Sequence, residues 1–218
     1  MSDHPPSKRA TVRRLPSRGV YDRAAIHKIL DEGLICHVGF SVDAQTFVLP
    51  TIHVRIGDKI YLHGSPASRL LQALASGAEA CVTVTLVDGL VLARSTFHHS
   101  MNYRSVVLFG RAILVEDDLE KLAVLHALTE HLIPGRWTDV RKPTSQELRQ
   151  TLVIAIPIGE ASAKVRTGPP LDDEPDYDLL IWAGVIPLRL SPAEVVADPK
   201  LRPGIEPPGY AVNYSGPR

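Results

Sequence analysis

Cysteine is scarce: Cys36 and Cys81 are the only two in 218 residues, and both lie in apolar, strand-like runs. A free thiol in such a run behaves as a small hydrophobe. The expectation is therefore no disulfide framework and a reducing, cytoplasmic compartment. Net charge is missing too, because 24 basic residues balance 24 acidic ones. That removes the electrostatic footprint of a general nucleic-acid or membrane-surface binder. No run of about 18 apolar residues occurs that could span a bilayer. The polar, Pro-rich beginning also lacks the apolar stretch of a signal peptide. We therefore expect neither a nucleic-acid nor a membrane partner.

What is present is an ordinary globular composition, 44% hydrophobic and 22% charged, in a chain short enough for one core. Residues 1–18 carry Lys8, Arg9, Arg13, Arg14 and Arg18 among Pro and Ser, and read as a basic arm that orders only by docking. Asp22 caps a short helix with Ile26, Ile29 and Leu30 on one face and Gly33 as its stop. The period then changes to two, giving strands over 34–41, 46–56, 59–63, 80–87, 90–97, 103–116, 151–158, 161–167 and 185–190. Gly57-Asp58 and Asp88-Gly89 read as hairpin turns, and Gly110 as a bend or bulge within a long strand. Helices interrupt this series rather than alternate with it, which excludes a parallel βαβ design. One is expected from Asp118 to Ile133, with Leu122, Leu125, Thr129 and Leu132 on one face. Shorter ones are expected at Thr144 and Ser191, from their capping spacing. About eight antiparallel strands predict a mainly β fold, a closed barrel with peripheral helices over 19–190. A C-terminal helix and Pro-rich tail follow over 191–218.

Two stretches are rich in chemistry. His63-Gly64-Ser65-Pro66-Ala67-Ser68-Arg69 takes a strand end into a helix start, where free amide hydrogens, hydroxyls and Arg69 suit an anion. An ordinary capped helix with Arg69 in solvent fits the same residues. The segment from Arg94 to Ser105 is a polar junction between two apolar strands, with donors that could meet the edge of a planar heterocycle. A metal site is not expected. The adjacent His98 and His99 point to opposite faces, and His126 and His131 do not share a helical face.

Taken in order, three pieces resemble the pyridoxamine 5′-phosphate oxidase-like, FMN-binding split-barrel family, in its flavin-nucleotide-binding branch. They are Phe47-Val48-Leu49-Pro50-Thr51-Ile52-His53, Ile60-Tyr61-Leu62-His63-Gly64-Ser65 with Ser68-Arg69, and Asn102 to Gly110. Lys164-Val165-Arg166-Thr167-Gly168-Pro169 and Ile181 to Pro187 extend the likeness, which covers roughly residues 11–190.

The resemblance implies an antiparallel split barrel and a homodimer with FMN at the subunit interface. Pro50, Thr51 and His53 would run along the flavin ring, and His63, Gly64, Ser65, Ser68 and Arg69 would surround its phosphate. Asn102, Tyr103 and Ser105 would lie at the ring and ribityl chain, and Lys164, Arg166 and Trp182 would come from the other subunit or cap the pocket. The implied activity is FMN-dependent oxidoreduction of a small molecule with a reduced nicotinamide as electron donor. No catalytic acid or base stands out. The tail from Arg202 to Pro208 lacks the basic cluster that would hold a phosphorylated pyridine, so the implied substrate differs from vitamin B6. A non-catalytic flavin carrier, or a split barrel holding haem or the deazaflavin F420, are the alternatives.

Overall fold

The computed structural model describes residues 4–216; the first three residues of the expected arm and the last two of the tail lie outside them. A short β1 (Gly19–Val20) precedes helix α1 (Arg23–Glu32). Then come β2 (Ile35–Val42), β3 (Gln45–Ile52), β4 (Val54–Ile56), β5 (Lys59–Gly64) and helix α2 (Arg69–Ala75). β6 (Glu79–Leu92), β7 (Ser100–Arg111), β8 (Ile113–Leu114) and helices α3 (Asp118–Leu132) and α4 (Ser145–Arg149) follow. β9 (Leu152–Pro157), β10 (Glu160–Arg166), β11 (Gly184–Pro187) and a one-turn α5 (Gly209–Val212) complete the chain.

The strands form two antiparallel sheets. The larger runs β1-β10-β7-β6-β2-β3 with β11 added to one end of β6, and the smaller runs β4-β5-β9-β8. Alternation explains the layers. On the larger sheet Val38, Phe40, Val82, Val84, Val106 and Leu108 face inward and meet Ile60, Leu62, Ile154 and Ile156 of the smaller one. Between those inward residues of β5 and β9, Tyr61, Val153 and Ala155 point the other way, onto Val124 and Leu128 of α3. Both faces of the small sheet are covered, which is why β9 reads as an unbroken apolar run. Both thiols are free, and burial pushes that of Cys36 up to about 12.

Several expectations need correction. Asp88-Gly89 is not a hairpin turn: β6 continues through it with a bulge between Val87 and Gly89. The Asp88 carboxylate takes two hydrogen bonds from Arg104 at 2.9 and 2.8 Å, and Gly89 lies flush against β11. The long strand at 103–116 is divided, since β7 stays in the large sheet while β8 joins the small one. No helix begins at Ser191; residues 191–208 are irregular. On α3 the buried face is Val124, Leu128 and His131 rather than the leucines at 122, 125 and 132.

Gly33 ends α1, as expected, but with φ −81° rather than in the left-handed region. Its need for glycine is spatial, because a Cβ there would stand 2.4 Å from Val84 Cγ1. Gly33→Ala is therefore expected to destabilise the fold by about 1–3 kcal/mol through overpacking. Denaturant unfolding checks this, and adding Val84→Ala should recover part of the loss.

Candidate functional site

The turn from β5 into α2 is built as a cradle. Ser68 Oγ accepts the Leu71 amide hydrogen at 3.4 Å and caps α2, while Ser65 Oγ accepts that of Ala67 at 3.1 Å. Arg69 makes no ion pair among the described residues; its guanidinium lies 4.8 Å from the centre of the Phe47 ring on β3. At the end of β5 His63 is mostly buried with Nδ1 lacking a hydrogen-bond partner, and burial lowers its pKa. The unpaired cation of Arg69 and the two serines belong to one turn, which His63 leads into from β5. That donor set suits an anionic oxygen group such as a phosphate.

Pro50 and Thr51 follow along β3, and the pairing with His37 and Cys36 shows how they divide. Thr51 opposes Cys36, and its side chain belongs to the inward face shared with Phe47; Pro50 opposes His37 on the outward face. His53 does not join this group. It is fully buried, and its Nε2 donates to the Leu30 carbonyl at 2.9 Å at the end of α1. One strand position beyond the pleat, the chain has turned into β4 and the ring is spent on the helix end.

A second group forms where β7 pairs β10. Asn102 and Arg166 are both buried, and the Arg166 guanidinium donates to Asn102 Oδ1 and to the Pro169 carbonyl at 3.2 Å. Asn102 also donates to the Gly168 carbonyl at 3.1 Å. These bonds fix the chain as it leaves β10. Burial, with Arg18 nearby, lowers the Arg166 pKa. Among the described residues no carboxylate neutralises Arg18, Lys164 or Arg166. Ser105 lies opposite Lys164, its hydroxyl donating to the Lys164 carbonyl at 3.3 Å, and Tyr103 opposes Arg166.

The polar junction at 94–105 is used differently from the expectation. The Asp172 carboxylate receives the Arg94 amide hydrogen at 2.9 Å and the guanidinium at 3.0 Å. Tyr177 lies under Arg94, 4.9 Å from ring centre to guanidinium, and Asp173 meets His98 at 3.2 Å. The segment after β10 thus docks on the junction instead of leaving its donors for a ligand. Burial works to raise the Asp172 pKa, but the hydrogen bonds from Arg94 and Ser95 hold it below the usual range. Asp172→Ala is expected to free this segment, and limited proteolysis should then cut within 169–183 before the barrel. Trp182 lies beyond that anchor, 68% exposed, with Leu180, two residues before it, exposed as well. It touches neither group within its own chain.

Strand β3, whose Phe47 ring carries the Arg69 guanidinium, and β10 lie towards opposite edges of the large sheet. From β3 to β10 there are four inter-strand steps, roughly 19 Å at about 4.8 Å per step.

The family model described as pyridoxamine 5′-phosphate oxidase matches residues 22–165. The chain belongs to this family. The fold is likewise that of its solved members. The flavocytochrome Anf3 from Azotobacter vinelandii is 43% identical over 94% of this chain and 96% of its own, with a TM-score of 0.89. The FAD and heme binding protein from Mycobacterium smegmatis is 36% identical over 92% of this chain and 98% of its own, with a TM-score of 0.87. A 5-nitroimidazole antibiotic resistance protein from Bacteroides thetaiotaomicron shares the fold at 24% identity, TM-score 0.54, over 67% of this chain and 86% of its own. Comparison with curated proteins gave no match. Among the described residues no helix is long and apolar enough to cross a membrane.

Proposed function

We propose that this protein is a homodimeric oxidoreductase that binds a flavin nucleotide and a haem and passes electrons between a small-molecule donor and an acceptor. The observation that carries the reading is that a flavocytochrome and an FAD- and haem-binding protein share this fold and over a third of its residues along nearly the whole chain. The residues present fit both groups. The turn at 63–69 offers an uncompensated cation and an orphaned nitrogen to a phosphate. Arg18, Lys164 and Arg166 form a second uncompensated cationic group. FMN, the cofactor expected from the resemblance, carries one phosphate and FAD two, so two cationic groups favour FAD. For haem, the exposed imidazoles of His37 and His126 have no hydrogen-bond partner among the described residues.

The flavin and haem supply the electron chemistry; the chain supplies binding, orientation and exclusion of water. Ser65, Ser68, His63 and Arg69 hold the phosphate end. Thr51 and the outer strand edge offer backbone groups to the ring.

The spacing of the two groups supports a homodimer. A ligand held by both groups is most simply shared between two copies, one offering Arg69 and the other Lys164. That arrangement has a distinctive test in mixed dimers. Arg69→Ala and Lys164→Ala homodimers should each bind flavin weakly, whereas a dimer of one chain of each kind should regain one intact site. Mixed dimers no better than either parent would remove the shared site. Anaerobic mixing with a reduced nicotinamide should bleach the flavin absorption, and a flavin that stays oxidised with every donor tried would make the protein a carrier instead.

A further inference from the structure

The N-terminal arm lies against the large sheet and is tied to it on either side of Arg13 and Arg14. Before them, Arg9 donates to Glu79 at 2.6 Å and to Glu160, the first residue of β10, and its guanidinium stands 5.0 Å from the centre of the Phe109 ring on β7. Ala10 is buried, and the Val12 amide donates to the Tyr21 hydroxyl at 2.9 Å. After them, the chain passes through Leu15, at φ 55°, and enters β1, where Gly19 opposes Lys164.

What the arm covers is the outward face of β7 and β10. Ala161 and Ala163 belong to the core, as do Val106 and Leu108. Strand alternation therefore turns Ser162 and Lys164 outward, together with their partners Val107 and Ser105. Between arm and sheet is a cavity of ≈ 260 Å³ lined by Arg13, Arg14, Lys164, Ser105 and Ser162 as well as Arg9. Arg9 is neutralised by its two glutamates. No carboxylate lines the cavity, and among the described residues Arg13, Arg14 and Lys164 make no ion pair. Three cations without a counterion in one cavity suit a polyvalent anion.

Ser162 decides between a ligand site and a merely solvated basic face. It is 7% exposed, yet its hydroxyl has no hydrogen-bond partner among the described residues. A hydroxyl buried without a partner costs free energy. An anionic oxygen in the cavity would accept its proton while the three cations offset the charge. The size is informative as well. At ≈ 260 Å³ the cavity is smaller than the roughly 300–1,000 Å³ of sites that enclose a whole small ligand, so it suits the charged part of a longer one.

We propose that the N-terminal arm and β10 form the site for the second phosphate of FAD, the one that FMN lacks, with Arg13, Arg14, Lys164 and the Ser162 hydroxyl as its donors. The inference rests on the flavin part of the proposed function, in which the turn at 63–69 holds the first phosphate. The arm then sets the choice between the two flavins, because FMN meets only the turn and FAD meets both.

The test titrates full-length apoprotein with FAD and with FMN and measures both affinities by calorimetry. Wild type should bind FAD about tenfold or more tightly than FMN. Arg13→Ala combined with Arg14→Ala should abolish that preference by weakening FAD and leaving FMN unchanged. The two arginines hold no ion pair, so the arm keeps its anchors at Arg9, Ala10 and Val12. Ser162→Ala removes a single donor and adds no bulk; it should lower FAD affinity by about threefold or more without moving FMN, and it decides the matter if the arginine variant does not fold. Equal affinities for the two flavins in wild type, an unchanged FAD affinity in either variant, or a loss shared equally by FMN would overturn the site with the flavin reading intact. Wild type that binds neither flavin would remove the flavin reading and the site together.

Discussion

Arg69→Ala is expected to weaken flavin binding roughly ten- to hundredfold, the loss of one charge-assisted contact worth about 1.5–3 kcal/mol. The expectation comes from what Arg69 lacks. Its guanidinium has no carboxylate partner among the described residues and rests on the Phe47 ring. The substitution therefore breaks no ion pair that holds the fold, and its effect should appear in ligand affinity rather than in stability. Titration of the apoprotein, followed by quenching of flavin fluorescence, measures it. Riboflavin, which has no phosphate, should bind wild type and Arg69→Ala alike. An equal loss for riboflavin would mean that Arg69 acts on the ring or on the fold, and no loss for either flavin would place the phosphate elsewhere.

The apoprotein is expected to lose about 3 kcal/mol of stability as pH falls from about 6.5 to about 4, through His53. Burial, opposed in part by the bond to Leu30, lowers the His53 pKa to about 4. Its Nε2 already donates to the Leu30 carbonyl, so an added proton must go to Nδ1, which is buried without a partner. The sign follows from linkage. Between the two pKa values the unfolded chain binds a proton that the folded chain refuses, so stability falls as pH falls and levels off below about 4. His27 and His63, also lowered chiefly by burial, act in the same direction. The His131 ring, 6.2 Å away, adds repulsion if both carry charge. In His53→Gln the amide can keep the bond to Leu30 without titrating, and the acid slope should shrink accordingly. Stability that is flat from pH 6.5 to 4.5, or a slope unchanged by His53→Gln, would contradict this account.

Much of the fold was readable from the residues because local rules and tertiary structure agree there. Asp22 and Thr144 cap helices in the structure as their spacing predicts, and Thr144 with Glu147 closes a full capping box. The strand periods of β2, β3, β5 and β9 each gave a strand. Asp88-Gly89 misled because its turn chemistry is identical to that of a bulge, and only the cross-strand Arg104 and the added β11 decide between them. The signal at Ser191 had a cap and a proline but no apolar stripe behind it, and a cap alone cannot order a helix. On α3, apolar residues surround the axis, so the buried side was set by its packing against Val54 and Tyr61 rather than by periodicity.

The candidate site was readable in part. The turn from His63 to Arg69 is a continuous motif, and its residues converge as their sequence suggests. His53 lies next to the same strand, yet its burial depends on where the chain turns into β4, which no residue pattern announces. Asn102 and Arg166 are far apart in sequence and meet through the pairing of β7 with β10. Arg94 looked free because its partner, Asp172, lies in an irregular segment with no period to read. His37 drew no notice as one polar residue in an alternating strand.

The most direct test of the flavin and haem reading is identification of what the purified protein carries. Its absorption spectrum is recorded, the protein is denatured, and the released chromophores are identified by mass and counted per chain. The account predicts flavin near one per chain, of FAD rather than FMN mass, together with haem. Protein that releases neither, and takes up neither FAD nor hemin when they are added, would contradict it.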